Sequence, residues 1–96
     1  MTIPNAGNTV IPAVGGTKAR YFRAHGYDES NVDALARGLR EIASSEATSV
    51  RESAFGTKYV ASGDLKTPRG TVVRIETVWI IETGSDQPRL VTAYPV

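Results

Sequence analysis

Ninety-six residues with 41% hydrophobic content make one small globular domain, 1–96, with enough apolar side chains to bury a core. Eleven Lys and Arg against ten Asp and Glu leave a net charge of +1, so overall charge selects no partner and any nucleic-acid contact must come from local clustering. The lack of cysteine excludes disulfides and thiol catalysis, and no apolar run approaches the ~18 residues that suggest a membrane span. The N-terminus carries no basic region followed by an apolar core, which makes the cytoplasm the default expectation and predicts no membrane association.

Residues 1–16, MTIPNAGNTVIPAVGG, are punctuated by Pro4, Asn5, Gly7, Asn8, Pro12 and Gly15-Gly16, and predict an irregular arm. Ile3, Val10, Ile11 and Val14 are apolar enough to pin it, with a short edge strand at 9–11. Gly15-Gly16 reads as a hinge, because a phosphate-cradling loop would need further spaced glycines and a lysine in P-loop context.

Residues 17–25, TKARYFRAH, predict a short helix with Thr17 as N-cap and Gly26 as its stop. Ala19 and Phe22 share its buried face, while Lys18, Arg20 and Arg23 form a basic face of the kind usually left in solvent. His25 sits where a helix C-terminus favours a cation. Residues 28–45 predict a second, amphipathic helix, with Ser30 and Asp33 in a capping-box arrangement. Val32, Leu35, Ala36, Leu39, Ile42 and Ala43 line its apolar face. Gly38 costs about 1 kcal/mol of helix propensity and suits close packing.

Strands follow at 47–55, 57–66, 71–82 and 89–94, separated by Gly56, by the turn TPRG and by the turn TGSDQP. Alternation in 71–82 puts Val73, Ile75, Thr77, Trp79 and Ile81 on one face, toward the core. Val72, Arg74, Glu76, Val78, Ile80 and Glu82 lie on the other. Apolar residues on both faces mark a central strand. Arg74 and Glu76, two apart, are placed to pair with each other or with a ligand. The expected architecture is α+β, with two N-terminal helices (17–45) packed on a four-stranded antiparallel meander (47–95).

One histidine and no cysteine argue against a metal site, and no cofactor fingerprint is present. No serine-nucleophile elbow exists, and nothing singles out two of Glu52, Asp64, Glu76 and Glu82 as a glycosidase pair. What remains is a polar set of Lys18, Lys58, Tyr59, Arg74, Thr77, Thr92 and Tyr94, with His25. Such a set suits RNA cleavage, in which the 2′-hydroxyl is an internal nucleophile and the protein need only neutralise phosphate charge and move protons. Trp79 and Tyr94 also read as core aromatics, and His25 as a helix-terminal residue.

The stretches IPNA (3–6), KARYF (18–22), GTKY (56–59), VWII (78–81) and LVTAYP (90–95) resemble a small bacterial domain family of unknown function. Its members occur alone and as C-terminal tips of larger, toxin-like proteins. Longer members carry an extra segment between IPNA and KARYF, which this chain replaces with residues 7–17. The helix–helix–meander order is also similar to the barnase, EndoU, colicin and RelE group of ribonuclease toxins. That group varies its catalytic residues, so the resemblance carries over only the matched family positions Lys18, Lys58, Thr92 and Tyr94.

These observations lead to an expected metal-independent endoribonuclease of toxin type, acting on tRNA or mRNA and restrained by a cognate inhibitor protein. Lys18 and Lys58 hold phosphate, Arg74 stabilises the transition state, Tyr94 or His25 transfers protons and Thr92 orients the substrate. The alternative is a non-catalytic interaction module whose edge strand at 47–55 adds to a partner's sheet.

Overall fold

The computed structural model describes residues 2–11, 17–28 and 30–96, with side chains in the first helix described from Arg20 onward. Two helices, α1 (Thr17–Ala24) and α2 (Val32–Ala43), precede strands β1 (Ser49–Ser53), β2 (Gly56–Lys66), β3 (Val72–Glu82) and β4 (Arg89–Pro95). The strands pair in sequence order, β1-β2-β3-β4, all antiparallel. The chain is therefore α+β with the expected meander, and β3 is interior, as its two-faced apolar pattern requires.

The helical half differs from the expected pair of packed helices. Only α2 is long, and it is the helix that lies against β2 and β3. Its buried stripe is Leu35, Leu39, Ile42 and Ala43, while Val32 stays 48% exposed. A Cβ on Gly38 would collide with Leu65 Cδ1, and one on Gly63 would come within 3.0 Å of Ile42 Cγ1. The two glycines thus lie where α2 and β2 approach most closely. Helix α1 has only two turns and reaches the core through Phe22 and, just after it, Tyr27.

The stop of α1 is the predicted one. Gly26 has φ +96°, its N–H donates to Arg23 O at 3.0 Å, and Tyr27 N–H donates to Phe22 O at 3.0 Å. That pair of bonds is a Schellman motif, closed by the Phe22–Tyr27 ring contact. The start of α2 departs from expectation. Its N-cap is Asn31, not Ser30, and no side chain caps it. Ser30 instead donates to Asp28 Oδ1 at 2.5 Å, while Asn31 Nδ2 donates to Gly26 O at 2.9 Å. The loop between the helices uses these side chains to fold itself, so the capping box is not made.

The N-terminal arm is pinned by Ile3, buried to 3% exposure, and by two isolated bridges, Thr2 to Glu46 and Val10 to Arg89. Both helices therefore fall in the chain between the arm's bridges and the sheet. The edge strand expected at 9–11 is reduced to the Val10 bridge. Val14 and Gly15-Gly16 lie outside the described residues.

Trp79, Leu39, Ile75, Thr77 and Pro88 are fully buried. Trp79 Nε1 donates to Thr77 Oγ1 at 2.8 Å, and Thr77 Oγ1 donates to Ala61 O at 2.7 Å. Tyr59 is 7% exposed in the same core. Tyr59 and Thr77 thus leave the polar set proposed for chemistry, because alternation turns both toward the helices.

Candidate functional site: the outer face of the sheet

With α2 on one face of the sheet, strand alternation delivers every second side chain to the other. Cross-strand register arranges these outer side chains in rows. Ser62, Glu76 and Tyr94 form one row across β2, β3 and β4. Val60, Val78 and Thr92 form the next, followed by Lys58, Ile80 and Arg89. On the far side of Glu76 lies the pair Asp64 and Arg74.

The Glu76 row is tied together by hydrogen bonds. Tyr94 Oη donates to Glu76 Oε2, and Ser62 Oγ donates to Oε1 at 3.4 Å. All three residues are half-buried. The carboxylate is the main reason the Tyr94 phenol is held above the ordinary tyrosine pKa, with partial burial acting the same way. Tyr94 therefore stays protonated at neutral pH and acts as a donor.

Of the residues selected from sequence, Lys58, Arg74, Thr92 and Tyr94 all reach this face. Tyr94 belongs to the Glu76 row and Thr92 to the row beside it. Arg74 lies two residues along β3 from Glu76, roughly 7 Å at 3.4 Å per residue. It pairs with Asp64 across the strands at 3.4 Å and not with Glu76, both partners being more than half exposed. Lys58 faces Ile80, six residues from Arg74 on β3, so the two cations stand roughly 20 Å apart along the face. They do not converge on one atom.

Two selected residues lie elsewhere. His25 follows α1, with its ring 4.7 Å from Tyr21 and its backbone N–H donating to Phe22 O at 3.1 Å. It belongs to the helical layer and is not brought to Glu76 or Tyr94. Lys18 is in α1, but its side chain lies outside the described residues. Sequence reasoning placed Glu76 to pair with Arg74 or a ligand but left it out of the catalytic set, and the structure pairs it with Tyr94 and Ser62 instead. The available signal was an acidic side chain at the middle of a strand face that is otherwise apolar at Val78 and Ile80.

Arg51 on β1 directly faces Lys58 on β2. Like charges opposed across a strand pair repel, and among the described residues neither forms an ion pair. An anion placed between them would relieve that repulsion. Among the described residues no three His, Asp or Glu side chains form a group that could hold a metal, and no helix is long and apolar enough to cross a membrane.

A family model described as a domain of unknown function matches residues 9–96, nearly the whole chain. The chain belongs to the DUF6883 family. No curated protein matches the sequence. A chain of a contact-dependent growth inhibition toxin–immunity protein complex from Klebsiella pneumoniae 342 is similar in structure. Its TM-score is 0.72 at 14% identity, over 94% of the present chain and 95% of that one. At that identity the likeness establishes a shared fold for this DUF6883 member and no shared chemistry.

Proposed function

We propose that this DUF6883 domain is a toxin-type, metal-independent endoribonuclease that binds RNA along the outer sheet face and cleaves it by 2′-hydroxyl transesterification. The observation that carries the proposal is the Ser62–Glu76–Tyr94 row, a hydrogen-bonded set of proton-handling groups flanked by cations on a sheet face that α2 leaves open. Structural similarity to a chain of a toxin–immunity complex supports it. So does the order of helices and meander, which resembles the barnase, EndoU, colicin and RelE arrangement. Arg74, the cation nearer to Glu76, stabilises charge developing on the phosphorane. Lys58, with Arg51 opposite, holds a phosphate farther along the strand. Thr92 orients the ribose and Tyr94 handles protons. An inhibitor protein covering this face is the expected natural antagonist.

The competing reading is a non-catalytic module resembling the other member of a toxin–immunity pair. It is favoured by β1, an edge strand whose five side chains are all exposed, next to Phe55 at 81% exposure. Such an edge is a template for adding a partner's strand.

The deciding assay incubates total tRNA and mRNA with the protein in the presence of a chelator. The parent chain is expected to cleave, and Lys58→Ala combined with Arg74→Ala is expected to abolish detectable cleavage. Equal cleavage by the double variant would sink the residue assignment. No cleavage by either protein would favour the interaction module.

A further inference from the structure

We infer that Glu76 is the general base of this site, taking the 2′-hydroxyl proton of RNA laid across β2, β3 and β4, with Tyr94 as its proton partner. The inference rests on the ribonuclease reading above and names the group that reading leaves open. Transesterification needs an acceptor for the 2′-hydroxyl proton near neutral pH. Lys58, Arg51 and Arg74 are cations, Ser62 and Thr92 are weakly acidic hydroxyls, and His25 lies in the helical layer. Tyr94 keeps its own proton.

Three outer-face carboxylates on β2 and β3 remain. Asp64 is paired with Arg74, and Glu82 is paired with Arg89 at 2.9 Å, both well exposed. Glu76 differs from both. It is half-buried, and its described partners are hydroxyls, not cations. An ion pair occupies the carboxylate oxygens that a base must offer, whereas a hydroxyl partner can be exchanged for the substrate's own hydroxyl. The 3.4 Å bond from Ser62 Oγ to Oε1 is at the outer limit for a hydrogen bond, so a ribose hydroxyl can take its place.

The step balances without any further reactant. The 2′-oxygen forms a bond to phosphorus while its proton passes to Glu76 Oε1. The bond from phosphorus to the 5′-oxygen breaks, and that oxygen takes the phenolic proton of Tyr94. The protonated Glu76 then turns its Oε1–H toward the Tyr94 phenolate, which takes that proton back. The products are a 2′,3′-cyclic phosphate and a free 5′-hydroxyl, and both residues return to their starting states.

Glu76→Gln tests this, because the amide keeps the shape and still accepts from Tyr94 Oη. Four readouts are needed: cleavage rate, the pH–rate profile, binding of a 2′-deoxy oligonucleotide that cannot be cleaved, and the thermal midpoint. The expected result is a rate lowered by about 10²–10⁴-fold, loss of the parent's rising acid limb, unchanged binding, and no more than a small fall in midpoint from the weakened Tyr94 bond. A variant that cleaves at the parental rate with the same acid limb overturns the role of Glu76 and leaves the ribonuclease reading standing. A variant that loses binding and midpoint along with rate assigns Glu76 to structure and also overturns it. A parent that does not cleave removes both readings together.

Discussion

Tyr94 shows how a single side chain divides between structure and chemistry. Its hydrogen bond to the Glu76 carboxylate raises the phenol above the ordinary tyrosine value of about 10. A raised folded-state pKa means that the stabilisation is fully present below the unfolded value and fades as pH climbs through the folded one. Its window is therefore alkaline, and physiological pH leaves it intact. Glu76→Gln is expected to bring one tyrosine down in an ultraviolet absorbance titration. Tyr27, raised by burial and donating to Lys66 O at 3.1 Å, should not move and serves as the internal reference. If no tyrosine shifts, the Tyr94–Glu76 bond does not persist in solution. Thr77 makes the opposite case. Sequence reasoning placed it both on the core face and in the polar set, and its bonds to Trp79 and Ala61 commit it to the core. Lys58, Arg74, Thr92 and Tyr94 could be assigned to one face by alternation alone. Their spacing along that face, and the partnership of Glu76 with Tyr94, depend on cross-strand register, which no single strand encodes.

At the scale of elements, β4 explains why that register was hard to read. Leu90 and Ala93 both face the core, three residues apart, which strict alternation forbids. A bulge resolves the conflict. Val78 pairs with Thr92 while Trp79 pairs with Leu90, so Val91 is the extra residue. Beyond the bulge, Thr92 and Tyr94 emerge on the outer face together. Helix α2 was legible through its apolar spacing, but its cap was not, because Ser30 and Asn31 spend their side chains on the preceding loop. Gly38 was legible as a place for close packing, and its partner Leu65 was not. The two effects of Gly38→Ala oppose each other. Helix propensity would gain about 1 kcal/mol. The methyl would meet the Leu65 side chain, and overpacking of this kind costs about 1–3 kcal/mol. The collision is expected to win, giving net destabilisation in urea unfolding. A stabilised variant would mean that α2 can lift off β2 at little cost.

Over the whole molecule, the sequence conveys the α+β class, the strand order and the core face, since periodicity and turn chemistry are local signals. It does not convey that α2 is the helix that lies against β2 and β3, nor where the arm goes, since both are decided by contacts between distant segments. The arm's destination has a consequence for the order in which the protein assembles. The β2–β3 and β3–β4 pairings join neighbours through short turns, so closing them costs little chain entropy. The bonds from Val10 N–H to Pro88 O at 2.8 Å and from Leu90 N–H to Val10 O at 2.9 Å join segments separated by almost the full chain. They carry a large closure cost, and Val10, which makes both, is 44% exposed. The Val10 and Leu90 amides should therefore exchange with deuterium earlier than the paired amides of β2 and β3, reporting a local opening that leaves the meander shut. The two ends of the chain are held by a latch that can release while the sheet it fastens stays folded.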